Sequence, residues 1–130
     1  MSVRRFGFSG MTAAAIAGVL LSACGGGAKA VTVDDFSAGS CRQIAPAVIQ
    51  IGHLVSVAHK QHGVNKQTQQ ELTDAQRMLR NQTDKPTGGQ DLVTAIGFLR
   101  LRLDSHTYQP DLLTAVSTAQ RNVERTCTGG

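Results

Sequence analysis

Apolar residues recur at steps of three and four along most of the chain after residue 40, which is the spacing of one face of an α-helix. The spacing predicts four helices of about four to five turns each. No segment alternates polar and apolar residues convincingly as a strand does, so the sequence predicts an all-α domain. The predicted inward positions are Cys41, Ile44, Val48, Ile51, Val55 and Ala58; Leu72, Ala75 and Leu79; Leu92, Ile96, Leu99 and Leu103; and Leu112, Val116, Ala119, Val123 and Cys127.

Local signals set the expected ends of these helices. Ser40 and Thr68 each stand three residues before a glutamine or glutamate, which is the spacing of a capping box. Pro46 conflicts with a start at Ser40, because a proline inside a helix removes a hydrogen bond. The first helix therefore either begins near Pro46 or bends there. Gly63 ends it, and Pro110 is suited to the first position of the fourth helix.

The short connections between the helices determine how they are expected to pack. Four helices of similar length joined by short loops pack as antiparallel neighbours in an up-down bundle. We therefore predict an up-down antiparallel four-helix bundle over residues 40–130.

The first 23 residues have a different pattern. Arg4 and Arg5 precede an uncharged, mostly apolar segment, and small residues and a glycine tract follow it. A positive start, an apolar middle and small residues at the cut are typical of an export signal. The segment ends in four residues that match, position by position, the lipobox of bacterial lipoproteins: Leu21, Ser22, Ala23 and Cys24.

The chain thus resembles a bacterial lipoprotein, and the resemblance implies cleavage before Cys24. It also implies a diacylglycerol thioether on the Cys24 sulfur and often an acyl group on its amine. On this interpretation residues 1–23 are a signal peptide, residues 24–39 are the lipidated cysteine and a flexible tether, and the protein is held at the outer face of the cell membrane. Val31, Val33 and Phe36 are the tether residues that are candidates for docking on the domain.

Two alternatives to the lipoprotein remain open, and the export route is a separate question. An uncharged segment of about 18 residues is near the lower limit for spanning a bilayer, which would make it an uncleaved anchor. The segment could also be an ordinary signal peptide in which Cys24 is incidental. Arg4 and Arg5 suggest twin-arginine export, although Gly7 stands where that signal prefers an apolar residue.

The remaining cysteines are expected to pair. If lipid occupies Cys24, Cys41 and Cys127 are left together in an oxidising compartment. In an up-down bundle of four helices, the start of the first helix and the end of the fourth lie at the same end. Cys41 and Cys127 occupy these two places on the apolar face, so we predict that one disulfide closes the bundle. Two free thiols are the alternative.

Composition argues against several classes of partner. The formal net charge is +4, and removal of Arg4 and Arg5 lowers it by two, which is too mild for a nucleic-acid-binding domain. After residue 23 the aromatic residues are Phe36, Phe98 and Tyr108, so stacking surfaces for bases or sugars are few. Arginine outnumbers lysine and small residues abound, which suggests a GC-rich genome. With the lipobox and the cysteine placement, the chain resembles small two-cysteine lipoproteins of actinomycetes that have no assigned activity.

Candidate chemistry along the helices is sparse. His59 and His62 have metal-ligand spacing, but no acid or cysteine accompanies them locally, and solvated histidines at a helix end are commoner. Serines lack a nucleophile-elbow setting, acids are scattered, and Gly88 and Gly89 lack the lysine of a phosphate loop. We expect no enzyme activity and no cofactor.

Small residues at the midpoints of all four helices form the remaining candidate site: Gly52, Ala75, Gly97 and Ala119. At one height they give either a waist of close helix contacts or room for an apolar ligand. The sequence therefore predicts a lipid-anchored envelope protein with a non-catalytic helical domain that binds another envelope protein or modulates an envelope process. The alternative is a carrier of a small apolar ligand, such as a lipid or a haem-like molecule, in the bundle core.

Overall fold

The computed structural model of the chain describes residues 30–129. Its four helices are α1 (Ser40–Gln61), α2 (Lys66–Arg80), α3 (Gly89–Asp104) and α4 (Pro110–Thr128), and a short 3-10 helix at Val33–Asp35 precedes them. Within these residues there is no strand. The signal peptide and the lipobox predicted over residues 1–24 lie outside the described residues.

The helices form a ring in which each packs against the two next to it, with α4 closing against α1. Side-chain hydrogen bonds show the relative direction of α2 and α3. Gln69 and Gln76 on α2 bond to Asp104 and to the Val93 carbonyl on α3, respectively, so residue numbers rise along one helix as they fall along the other. The predicted all-α, antiparallel four-helix bundle is confirmed. No helix in this part of the chain is both long enough and apolar enough to cross a membrane.

The apolar faces predicted from the spacing form most of the core. The buried apolar side chains come from all four helices, and the largest fully buried ones on α1–α4 are Ile44, Ile51, Leu72, Leu79, Leu92, Ile96, Leu99 and Leu113. On α4 the prediction chose Leu112, which is only partly buried, whereas Leu113 beside it is completely buried. Either leucine fits a helical spacing, and the direction of the neighbouring helices decides between them.

The predicted capping boxes at Ser40 and Thr68 are wrong. Gly39 is the N-cap of α1, Ser40 is its first residue, and the helix continues through Pro46. Asn65 is the N-cap of α2, because its Oδ1 accepts the backbone N–H of Thr68 at 2.8 Å. Asparagine caps as well as serine and better than threonine, and here it lies one residue before the helix. Pro110 begins α4 as predicted.

The predicted disulfide is confirmed. Cys41 at the start of α1 and Cys127 at the end of α4 are bonded, and their Cα atoms lie 5.4 Å apart. That separation is within the ordinary range for a disulfide. The bond joins the first and the last helix at one end of the bundle, across a sequence separation of 86 residues.

The compact domain begins earlier than residue 40. It includes Val31, and Phe36 is only 1% exposed, packed into the core together with the partly buried Val31 and Val33. The boundary predicted at residue 40 therefore moves to Val31, and residues 31–39, which we call the N-terminal strap, do not behave as a free tether. The three apolar residues named as docking candidates are those that dock.

Polar contacts hold the N-terminal strap at the disulfide end of the bundle. The backbone N–H and the hydroxyl of Ser37 donate to the carbonyl of Cys127 at 2.8 and 2.9 Å. The guanidinium of Arg42 on α1 donates to the carbonyl of Phe36 at 2.8 Å. These bonds satisfy backbone groups of Phe36, Ser37 and Cys127.

Candidate functional site

Two buried glutamines bridge neighbouring helices near the middle of the bundle. Gln76 on α2 and Gln120 on α4 are 5% and 6% exposed. Nε2 of Gln76 donates to the carbonyl of Val93 on α3 at 3.0 Å, and Nε2 of Gln120 donates to the carbonyl of Val48 on α1 at 3.2 Å. Because a buried amide is costly unless it is hydrogen-bonded, these bonds fix both side chains against the backbone of the next helix.

A glycine lies one turn after each of these carbonyls, against the same amide. A Cβ placed on Gly52 would lie 2.8 Å from Nε2 of Gln120, and one placed on Gly97 would lie 3.4 Å from Nε2 of Gln76. The first distance would force the amide to move, whereas the second is an ordinary contact. We call these pairs the first clamp (Gly52 with Gln120) and the second clamp (Gly97 with Gln76).

The two clamps belong to an internal repeat in the sequence. Four residues of α1 recur in the same order and spacing on α3: Val48, Ile51, Gly52 and Leu54 become Val93, Ile96, Gly97 and Leu99. Three residues of α2 recur on α4: Ala75, Gln76 and Arg77 become Ala119, Gln120 and Arg121. The bundle thus consists of two similar helical hairpins. The glutamine of each hairpin contacts the glycine of the other, as in a twofold interface where the same contact occurs twice.

One difference between the clamps concerns the glutamine oxygen. In the second clamp, Oε1 of Gln76 accepts a hydrogen bond from the guanidinium of Arg100. The repeat places Val55 at the position of Arg100, so the first clamp has no such donor. The amide nitrogen of Gln120 instead donates a second bond, to the carboxylate of Glu124 at 3.2 Å. Among the hydrogen bonds of residues 30–129, none reaches Oε1 of Gln120.

A surface groove of about 300 Å³ lies beside the first clamp, between α1 and α4. Gly52, Val55 and Gln120 line it together with the hydroxyl-bearing Ser56 and Ser117. Three exposed basic side chains complete the lining: His59, Lys60 and Arg121. A buried amide, two hydroxyls and a basic rim make this groove the candidate functional site.

The structure does not bring the four midpoint residues together around one space. Gly52 and Gly97 face Gln120 and Gln76 on different sides of the bundle, and Ala75 is completely buried in the core. Ala119 is half-buried in a second groove, of about 540 Å³ between α3 and α4, which shares no lining residue with the groove at Gly52. The ligand waist considered from the sequence is therefore not a common cavity, because each glycine meets a polar side chain from the adjacent helix.

The two histidines considered as metal ligands lie at the end of α1. His62 has a left-handed backbone (φ 55°), and its N–H bonds back to α1 and so ends the helix. His59 lines the α1–α4 groove instead. Within residues 30–129 there is no group of three or more histidine, cysteine, aspartate or glutamate side chains that could hold a metal ion.

The two glycines were identified as candidates from the sequence, whereas the two glutamines that contact them were not. Gln76 and Gln120 are polar residues on amphipathic helices, and such residues usually face water. The repeat of Ala-Gln-Arg on α2 and α4 is the signal that would have identified them.

Comparison with known proteins gave no match to a family model, to a curated protein or to a solved structure. The chain forms a disulfide-closed four-helix bundle of two helical hairpins, and the glutamine of each hairpin lies against the glycine of the other.

The clamps give a prediction about stability. Gly52→Leu is expected to lower the free energy of unfolding by about 1–3 kcal/mol, because the side chain overpacks the amide of Gln120. Gly97→Ala is expected to raise it by about 0.5–1 kcal/mol, since alanine is the better helix residue and has ordinary space there. Gly52→Ala combines the same gain in helix propensity with displacement of the Gln120 amide, so its free energy of unfolding should be close to that of the parent. Thermal melting of the full chain measures all three.

The decisive comparison in that series is between the two substitutions at Gly52. The leucine variant is expected to melt below the alanine variant, which serves as the control for helix propensity. If both melt above the parent, the amide of Gln120 is not fixed and the space at Gly52 is free to be filled. That result would reject close contact and support the carrier of an apolar ligand.

Proposed function

We propose that the chain is an exported bacterial lipoprotein whose helical bundle is a non-catalytic interaction domain for another envelope protein. The observation that carries the proposal is the distribution of the three cysteines. Cys41 and Cys127 form a disulfide, a bond that persists in oxidising compartments outside the cytosol. Cys24 stands at the end of the lipobox sequence.

The early start of the folded domain agrees with a position near the membrane surface. Fully extended, the chain between Cys24 and Val31 spans at most about 25 Å. A lipid on Cys24 would therefore keep the bundle close to the outer face of the cell membrane.

The packing at mid-height favours an interaction domain over a carrier of an apolar ligand. Polar amides occupy the space beside Gly52 and Gly97, and both amides are held by backbone carbonyls. A lipid or haem-like molecule in the core would have to displace these buried hydrogen bonds, which is costly. The outer surface of the bundle is then the part that is available to a partner.

Cys24→Ala tests the proposal. The parent chain is expected in the membrane fraction with lipid on Cys24, whereas the variant should appear in the soluble fraction or as an uncut precursor, because its side chain cannot form a thioether. Fractionation of the native host followed by mass spectrometry of the N-terminal peptide measures both properties. Ser22→Ala keeps a small residue at that lipobox position and is the matched control that should stay in membranes. An unmodified thiol on Cys24 in the native host would refute the lipoprotein.

A further inference from the structure

The internal repeat allows the two clamps to be compared position by position. In the second clamp the guanidinium of Arg100 donates to Oε1 of Gln76. In the first clamp Val55 takes the place of Arg100, and the α1–α4 groove opens beside Gln120. Gln120 is 94% buried, given its exposed fraction of 6%, and its Oε1 receives no hydrogen bond from residues 30–129. The groove thus lies at the position that corresponds to Arg100, which supplies the hydrogen-bond donor in the second clamp.

A buried amide oxygen without a donor is unusual in folded proteins, because burial removes the water that would otherwise bond to it. The amide nitrogen of Gln120 is already committed to the Val48 carbonyl and the Glu124 carboxylate. If the amide turned over, its oxygen would face the Val48 carbonyl and the Glu124 carboxylate, and both of these acceptors would lose their donor. The orientation with Oε1 as the free acceptor is therefore favoured. The inner end of the groove is therefore suited to a ligand that carries an O–H or N–H donor.

Two positions at the rim of the groove are more basic than the equivalent positions of the repeat. The repeat aligns His59 and Lys60 with Asp104 and Ser105, so an acidic position becomes a basic one. Arg121 aligns with Arg77, which pairs with Asp74 at 3.0 Å.

On α4, Thr118 stands at the position of Asp74, and no salt bridge within residues 30–129 involves Arg121. Glu124, whose carboxylate accepts a hydrogen bond from Gln120, adds one negative charge where the repeat has Arg80. Two permanent cations, Lys60 and Arg121, line the groove and are suited to an anion.

We propose that the α1–α4 groove binds a compact anion that carries a hydroxyl group, such as a hydroxycarboxylate. The ligand hydroxyl donates to Oε1 of Gln120, and the anionic group lies between Lys60 and Arg121. The hydroxyls of Ser56 and Ser117 provide further hydrogen bonds along the groove. Its volume of about 300 Å³ is at the small end of the range for ligand sites, which limits the occupant to a small molecule. This site does not depend on the lipid anchor.

Titration of the 15N-labelled full chain in detergent solution with L-malate and with succinate tests the proposal. The two probes carry the same carboxylates, and only malate has a hydroxyl. The side-chain amide signals of Gln120 are expected to shift with malate while those of Gln76 stay in place. Malate should bind at least about threefold more tightly than succinate, as one additional hydrogen bond predicts. A second pair, glycerol 3-phosphate and propyl phosphate, shows whether the anion is better supplied as a carboxylate or a phosphate.

Two matched arginine variants separate the groove from general attraction of anions. Arg121→Ala is expected to weaken malate binding by about threefold or more, because it removes one cation from the rim. Arg77→Ala removes the equivalent arginine of the other hairpin and should leave malate binding unchanged. Both side chains are exposed, so neither change threatens the fold. Equal affinities for the hydroxylated and plain anions, equal losses in the two variants, or no shift at Gln120 would each overturn the proposal.

Discussion

Replacing both disulfide cysteines, as Cys41→Ala with Cys127→Ala, is expected to lower the free energy of unfolding by about 4–5 kcal/mol. The bond closes a loop with a sequence separation of 86 residues, and a loop of this length removes much conformational entropy from the unfolded chain. A domain of about 100 residues has a total stability of only about 5–15 kcal/mol. The loss is therefore a large part of what holds the bundle together.

Urea denaturation of the parent and the double variant, each with and without reductant, measures this loss. Reductant should lower the midpoint of the parent and leave that of the double variant unchanged. The dependence of the unfolding free energy on urea should become steeper without the bond, because the unfolded chain then exposes more surface. A parent midpoint that is insensitive to complete reduction would show that the bond contributes little to stability.

The bundle could be predicted from sequence because its helices are amphipathic and its loops are short. Residues such as Ile51 and Ile96 recur at helical spacing, and burial of that face is what the fold achieves. The disulfide followed from the same pattern, since Cys41 and Cys127 extend the apolar faces of α1 and α4. The apolar faces depend on one helix at a time, and the disulfide depends only on the order of the helices. The spacing along the sequence was therefore enough to predict both.

The contacts of the candidate site could not be predicted in the same way. Whether Gln120 faces water or Gly52 depends on how α4 is placed against α1, and helical spacing does not contain that information. His59 was noticed only for its distance from His62 along α1. Its place on a groove with Arg121 depends on two helices that are far apart in sequence.

The N-terminal strap was predicted only in part, as docking candidates within a tether, for a related reason. Glycine and aspartate in residues 25–39 are typical of a flexible tether, and three scattered apolar residues show no periodicity. Phe36 is nevertheless buried in the core, next to Ser37, whose backbone N–H bonds to the carbonyl of Cys127. A single aromatic residue can dock a segment that has little regular structure of its own.

Phe36→Ala is accordingly expected to lower the free energy of unfolding by about 3–5 kcal/mol. The ring is 1% exposed, so its removal leaves a cavity in the core in addition to the lost burial of apolar surface. Phe98→Ala is the matched control, because Phe98 on α3 is 58% exposed. The control should stay within about 0.5 kcal/mol of the parent, as changes at exposed positions usually do. Urea denaturation of the full chain compares the two variants under the same conditions.

The comparison decides where the folded domain begins. The backbone carbonyl of Phe36, which accepts from Arg42, is retained in the alanine variant, so the measured loss reports burial of the ring rather than loss of that hydrogen bond. If residues 31–39 were a free tether, removal of either phenylalanine would change stability by the same small amount. A difference of at least about 2 kcal/mol between the variants is expected if the domain begins at Val31. Equal effects would return the boundary to residue 40 and leave the bundle without its N-terminal strap.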